Sequence, residues 1–220
     1  MSQKAYFSQL PDQVAKDLLG SVIRIPYSSD GYLSAQVIET EAYSIHERGS
    51  HAWLGYTPKR SALFMPPGTI YMYYARGGDS LNISCLGPGN AVLIKAGIPY
   101  IDDRSHPHMV AIMQQLNPLP GQRPRPTHKL CSGQTLLCRS LNLKVPHWDQ
   151  THLDHNAMLI ESSNDKPQTI LQTRRLGITE NRDAHWLFRF IDKRYARFCS
   201  SNPLTKTAWQ LNRDYFWIDQ

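Results

Sequence analysis

Long hydrophobic runs are missing from this sequence of 220 residues. No stretch approaches the roughly 20 consecutive apolar residues that a membrane-spanning helix requires. The first residues, MSQKAYFSQL, also lack the apolar core of a secretion signal. We therefore expect a protein that is not secreted and that has no membrane partner.

Cysteine is scarce, and the residues present form no CxxC pair. They are Cys85, Cys131, Cys138 and Cys199. Cys131 and Cys138 lie near His128 and His147 in the sequence, but this spacing fits no structural zinc pattern. In a reducing compartment such cysteines remain free thiols. The sequence therefore predicts no disulfide framework, no metal site and no cofactor.

An excess of charge of either sign is missing from most of the chain. The formal net charge is +6, yet 15 basic and 15 acidic residues balance outside residues 174–213. Within 174–213 there are nine basic and three acidic residues. Such a segment suits contact with the phosphate backbone of a nucleic acid. An ordinary solvated surface carries a similar excess, so the charge alone leaves both interpretations open.

Apolar periodicity and turn residues predict a mixed chain in which strands dominate. Helices are predicted over 11–19, 109–116 and about 135–141. Strands are predicted over 22–25, 35–43, 69–75, 91–96, 157–162, 168–173 and 187–191. The helices do not alternate regularly with the strands, so we expect the α+β class. The expected architecture is one compact domain with a curved, mainly antiparallel sheet flanked by helices.

The segment 37–43, VIETEAY, is the strongest candidate for chemistry. Strand alternation puts Val37, Glu39, Glu41 and Tyr43 on one face, with the two carboxylates roughly 6.6 Å apart along the strand. A charged residue on a half-buried strand face is unusual outside an edge or a site. Either glutamate can act as a general base on water. The pattern alone favours the plainer interpretation, in which both are solvated on an edge strand.

Aromatic side chains gather on the predicted strands and on one loop. They are Tyr43, Tyr71, Tyr73 and Tyr74, with His51 on the loop. Aromatic faces stack on a flat ligand such as a purine base. A tyrosine-rich core is the alternative, but buried tyrosine hydroxyls need hydrogen-bond partners. Four tyrosines close together therefore favour a pocket.

Several short motifs follow one another along most of the chain. They are DLLG at 17–20, ETEAY at 39–43, His51, TPKR at 57–60, FMPPGTIYMYY at 64–74, LNIS at 81–84, AVLIKA at 91–96, LCSG at 130–133 and RRLGI at 174–178. In this order they resemble the alkyladenine (3-methyladenine) DNA glycosylase family, the class without a helix–hairpin–helix motif. The combination of ETEAY with PGTxYxY and LNIS is specific.

The resemblance implies a monofunctional DNA glycosylase of base excision repair, with residues 1–220 as a single glycosylase domain. Such an enzyme flips a damaged purine, alkylated and for some lesions etheno or deaminated, out of double-stranded DNA and hydrolyses its N-glycosidic bond. Glu41 is then the general base that activates the water, and the role of Glu39 is open. A monomer is expected, in the bacterial cytoplasm at the nucleoid or in a eukaryotic nucleus.

The resemblance also assigns the residues that hold the flipped base. Tyr43 and His51 match residues that form one wall of the base pocket. Tyr73 matches the opposing wall, and Tyr71 matches a residue beside it. Asn82 matches the residue that discriminates against the exocyclic amino group of guanine.

Two positions depart from the family pattern. Arg76 stands where relatives carry a tyrosine that fills the gap left by the flipped nucleotide. A guanidinium stacks on bases and pairs with phosphate, so Arg76 is predicted to be the DNA-binding wedge, with a simple phosphate contact as the alternative. Lys95 stands where relatives carry an arginine near the catalytic water. It keeps the positive charge without the planar geometry, so we place it beside Glu41 as a catalytic residue.

Two other functions explain parts of the sequence. A sugar hydrolase would use Glu39 and Glu41 as a carboxylate pair, but it explains neither the basic segment nor the ordered motifs. A non-enzymatic nucleic-acid binder explains the charge and the aromatic residues. It does not explain why Glu41 and the pocket residues are all present.

Overall fold

Residues 3–75, 77–155, 157–206 and 208–219 are described by the structure, a computed structural model of the chain. The α-helices are α1 (Gln3–Phe7), α2 (Pro11–Asp17), α3 (Met109–Leu116), α4 (Gln134–Ser140) and α5 (Val145–Trp148). The strands are β1 (Val22–Ser28), β2 (Gly31–Tyr43), β3 (Ile70–Ala75), β4 (Gly78–Ser84), β5 (Ala91–Pro99), β6 (Leu159–Glu161), β7 (Thr169–Thr173), β8 (Arg189–Asp192) and β9 (Tyr215–Asp219). Short 3₁₀ helices cover His51–Leu54, Pro58–Phe64, Pro120–Gln122, Thr127–Lys129, Leu153–His155, Glu180–Arg182, Lys193–Phe198 and Pro203–Thr205.

The nine strands of the described residues join one sheet whose strand pairs are antiparallel. The main path runs β3-β4-β5-β2-β8-β7-β9, and β1 joins β2 to β6. The predicted α+β class with a mainly antiparallel sheet and flanking helices is therefore confirmed. Within the described ranges, no helix has the length and apolar character needed to cross a membrane.

The long strand β2 lies in the middle of the sheet. Strand β5 pairs along one of its edges, while β1 and then β8 pair along the other. Both edges are thus hydrogen-bonded, and residues 33–42 are buried. The expectation that Glu39 and Glu41 are solvated on an edge strand is wrong, because β8 covers that edge at Glu39, Thr40 and Glu41.

Alternation along the strands gives the sheet two different faces. On one face apolar side chains form the main core, which includes residues of α2, α3 and α4. Thr40 faces this side, where its hydroxyl donates to the Ala15 carbonyl of α2 at 2.7 Å. The alternate positions of β2, β3, β4 and β5 point to the opposite face, and they carry most of the predicted site residues.

A bulge in β2 changes which residues share a face. The register with β5 is irregular between Val37 and Glu39 and again between Glu39 and Thr40. Val37 before the bulge and Ala42 after it belong to the same apolar core, whereas Glu39 pairs with Arg189 on the other face. The prediction that Val37 shares a face with Glu39 is wrong, because an extra residue in a strand inverts the alternation beyond it.

Two strands were not predicted from the sequence. Strand β4 forms a hairpin with β3 and places Asn82 opposite Tyr71. Its alternation, Ser80, Leu81, Asn82 and Ile83, is a short strand signal of the expected period. Strand β9, with the sequence YFWID, pairs with β7 at the far edge of the sheet.

Candidate active site

A cavity of about 520 Å³ opens on the face of the sheet opposite the main core. The predicted residues that line it are Tyr43, His51, Tyr71, Tyr73, Asn82 and Lys95. The wall of the cavity also includes residues 49–51, 133–136 and 176–178, Arg182 and Ser200. The fold therefore brings together side chains that are scattered over β2, β3, β4, β5 and one 3₁₀ helix.

Local geometry explains why two of the loop segments reach the cavity. The Ser50 hydroxyl accepts from the Ala52 amide at 3.1 Å and so caps the 3₁₀ helix that begins at His51. On the other side, any Cβ at Gly78 would collide with the Thr135 side chain. A glycine at the start of β4 thus allows the beginning of α4 to approach the sheet closely.

Glu41 lies directly behind the cavity wall and is fully buried. The Tyr43 hydroxyl donates to Glu41 Oε2 at 2.7 Å, and Lys95 Nζ lies 3.3 Å from Glu41 Oε1. Both of these neighbours line the cavity. Glu41 Oε1 accepts no hydrogen bond from any described residue. This oxygen therefore has the free capacity to accept a proton.

The charge state of Glu41 follows from these neighbours. Burial alone raises the pKa of the Glu41 carboxyl. The cations Lys95 and Arg189 and the Tyr43 hydrogen bond lower this pKa by more than burial raises it, so the pKa of Glu41 lies below the usual value of 4.5. Burial and then the Glu41 charge raise the pKa of Tyr43 well above its usual range. At neutral pH the site thus holds a carboxylate beside a protonated phenol.

Lys95 stands between Glu41 and the cavity. Besides its contact with Glu41, its ammonium group donates to Gln134 Oε1 at 3.1 Å. Gln134 is the first residue of α4 and also lines the cavity. Gln134 was not identified from the sequence, because a single glutamine at a helix start carries no functional pattern.

Three aromatic rings form one side of the cavity. The Tyr71 hydroxyl lies 2.9 Å from His51 Nδ1, and the ring centroids of Tyr71 and Tyr73 are 5.4 Å apart. The ring centroids of His51 and Tyr73 are only 4.5 Å apart, which leaves no room for a base between these two rings. Burial, followed by the charges of Arg60 and Arg182, lowers the pKa of His51, so its imidazole is neutral at pH 7.

Asn82 is held on the wall beside these rings. Its side-chain nitrogen donates to the Tyr71 carbonyl at 3.1 Å across the β3–β4 hairpin. A carbonyl only accepts, so the orientation of the amide is determined by this bond. Asn82 thus presents a fixed amide to whatever occupies the cavity.

Glu39 does not share the cavity with Glu41. Its carboxylate accepts from Arg189 Nε at 2.6 Å and from the Ser200 amide at 3.0 Å, and both charged side chains are fully buried. Both oxygens of Glu39 are thus occupied, whereas Glu41 keeps an oxygen that accepts no hydrogen bond from the described residues. The sugar-hydrolase alternative, which needs two carboxylates facing one site, therefore has no geometric support.

Some of the basic side chains in segment 174–213 form buried ion pairs inside the protein. Arg175 pairs with Glu47, and Arg189 pairs with Glu39, in both cases away from solvent. The excess charge is therefore a weaker argument for a DNA-binding surface than its count implied. Arg76, the predicted wedge, lies outside the described residues.

Comparison with known proteins gives matches over most of the chain. A family model for methylpurine-DNA glycosylase matches residues 5–196. A Pseudomonas fluorescens protein is 53% identical over 212 residues, which cover 96% of this chain and 91% of that protein. A Pseudomonas syringae pv. tomato protein is 51% identical over 218 residues, which cover 99% of this chain and 97% of that protein. A Rhizobium johnstonii protein is 31% identical over 203 residues, which cover 87% of this chain and 89% of that protein. Each of the three is named "Putative 3-methyladenine DNA glycosylase".

Proposed function

The chain belongs to the methylpurine-DNA glycosylase family, and on that premise we propose that it excises alkylated purines from double-stranded DNA with Glu41 as the base that activates water. The observation that carries this proposal is the buried Glu41 carboxyl group, in contact with Tyr43 and Lys95 behind a cavity with one aromatic side. A base inside the duplex is out of reach of Glu41, so the damaged nucleotide is flipped into the cavity. One flipped nucleotide needs one cavity, which a monomer with a single domain provides.

The chemistry requires one base and one source of negative charge, and Glu41 supplies both. As the bond between the sugar and the purine breaks, the purine leaves with the electron pair and positive charge develops on the sugar. The Glu41 carboxylate stabilises that charge and takes a proton from the water whose oxygen bonds to the sugar carbon. A purine alkylated at a ring nitrogen such as N3 or N7 already carries positive charge, so it departs as a neutral base.

Access of water to Glu41 depends on the two residues in front of it. The Tyr43 hydroxyl donates to Oε2, whereas Oε1 accepts no hydrogen bond from the described residues and lies 3.3 Å from Lys95 Nζ. Lysine has a long flexible stem with a compact charge, and a small shift of Lys95 towards Gln134 opens Oε1 to a water molecule. In this proposal Lys95 controls access to Glu41 and keeps it ionised.

Selectivity is proposed to arise from stacking and from Asn82. The Tyr71 and Tyr73 rings offer a surface for a planar base. Guanine carries a 2-amino group that adenine lacks, and the Asn82 amide, whose orientation is fixed by its bond to the Tyr71 carbonyl, cannot move aside for this group. Etheno and deaminated purines, which are neutral and need a proton from solvent to depart as neutral bases, remain within the proposed range.

The proposal is tested by single-turnover base release from end-labelled duplexes that each contain one lesion. The panel holds alkylated adenine, alkylated guanine, ethenoadenine and hypoxanthine, and alkali reveals abasic products. We expect release of alkylated adenine and retention of undamaged bases. Binding of every duplex without any release would favour the nucleic-acid binder instead.

The rate of base release is expected to persist into acid solution. Glu41 works as the ionised form and its pKa lies below the usual value of 4.5, so the midpoint of the acid limb of the rate should lie below pH 4.5. An alkylated purine is the right substrate because its charge does not change over this range. Excision is measured wherever circular dichroism shows a folded protein, and a midpoint above 4.5 would contradict the assignment.

Loss of the Tyr73 ring is expected to weaken excision. Tyr73→Leu removes a stacking surface of roughly 1–3 kcal/mol, or about 5- to 150-fold in the rate at subsaturating enzyme. The matched control is Tyr74→Leu, because Tyr74 is the next residue of β3, does not line the cavity and is 71% exposed. Equal losses in both variants would show that the effect is not base stacking.

A further inference from the structure

Glu39 and Arg189 form a buried ion pair for which the proposed reaction has no direct use. Both side chains are fully buried on the face of the sheet that carries Glu41. Arg189 lies opposite Glu41 in the β2–β8 register, yet it bonds to Glu39 rather than to Glu41. Burying two charges costs free energy that their attraction often does not recover. Stability alone therefore does not explain why this pair is present.

The pair is also the anchor of a segment that reaches the cavity. Arg189 donates to the Ser201 carbonyl at 2.9 Å and to the Ser200 carbonyl at 3.2 Å. Glu39 accepts from the Ser200 amide at 3.0 Å. Ser200 itself lines the cavity. Two charged side chains on β2 and β8 thus hold the backbone of this wall residue in place.

We propose that Glu39 and Arg189 are positioning residues of the active site. Arg189 supplies a positive charge beside Glu41 without forming a direct ion pair that would occupy its oxygens. Glu39 holds that charge in place, balances it, and ties the Ser200 segment to the central strand. This inference rests on the proposed function of Glu41.

The groups that face Glu41 determine what a variant should do. They are Lys95 on β5, Arg189 on β8, Tyr43 on β2 itself and Arg175 after β7. Of these, only Arg189 is held by Glu39. Removing the Glu39 charge leaves Arg189 unbalanced, which favours the ionised form of Glu41. Removing both charges takes away a cation, which favours the protonated form.

The test uses two variants whose pH profiles should move in opposite directions. We expect Glu39→Gln to lower the single-turnover rate about tenfold or more, as misplaced catalytic groups do, and to move the acid limb to lower pH. The double variant Glu39→Gln/Arg189→Met leaves no unpaired buried charge, so it should fold. Its acid limb should move up by about one pH unit, the scale of one neighbouring charge.

The matched control is Glu161→Gln, which removes a carboxylate partner of the buried Arg24 away from the cavity. It should leave the rate and the pH profile as in the wild type. A double variant that is folded and active with an unshifted acid limb would overturn the inference. If the wild type releases no base from any lesion duplex, the proposed function fails instead, so the two failures are distinguishable.

Discussion

Glu41→Gln is expected to slow base release by about 10²- to 10⁴-fold, the usual contribution of a general base. Glutamine has the same shape and still accepts the Tyr43 hydrogen bond, but it neither takes a proton nor carries the charge that stabilises the sugar cation. The measurement is single-turnover excision at saturating enzyme, with affinity for the lesion duplex determined separately. Affinity should stay close to that of the wild type.

The substitution should leave the fold intact. Its ionic partner Lys95 is partly exposed, with 14% of its side chain accessible, so the ammonium group can turn towards water and Gln134. Glu161→Gln, on the short strand β6, serves as a control for loss of a carboxylate elsewhere. Wild-type rates in Glu41→Gln would move the role of the base to another group.

Local patterns in the sequence predicted β2, β3 and β5, which carry most of the site residues, but they predicted neither β4 with Asn82 nor the long-range contacts of the site. The alternation of Tyr71 and Tyr73 puts both rings on one face, and the structure has them 5.4 Å apart. The Glu39–Arg189 pair joins residues 150 positions apart. No periodicity within either strand contains that pairing, so Glu39 had no assignable role from the sequence.

The position of β2 illustrates the same limit. Two glutamates on a strand normally indicate an exposed edge, and the sequence of 37–43 has nothing to contradict it. The edge is covered by β8, which follows about 150 residues later in the chain. The bulge beside Glu39 depends in turn on pairing with β5. Burial of Glu41, and with it the chemistry, is therefore a property of the assembled sheet.

A second buried ion pair supports the cavity from behind Tyr43. Arg175 donates to both carboxylate oxygens of Glu47 and to the Ala42 carbonyl at 2.8 Å. Its guanidinium also lies 4.6 Å from the centroid of the Tyr43 ring. Glu47 accepts in addition from the Ser44 amide at 2.8 Å. The pair therefore connects the end of β2 to the loop that leads to His51.

Arg175→Leu is expected to destabilise the protein by about 3–5 kcal/mol, because it leaves the Glu47 carboxylate buried without its cation. For a chain of this size that corresponds to a fall in Tm of about 6–20 °C in thermal unfolding. The double variant Arg175→Leu/Glu47→Leu removes the stranded charge and should recover most of the loss. Arg213→Leu, which breaks an exposed ion pair with Asp214, should leave Tm unchanged. If Arg175→Leu has the same Tm as the wild type, the buried pair does not stabilise the end of β2. The hydrogen bond to Glu41, and not the contact with Arg175, would then hold Tyr43 in place.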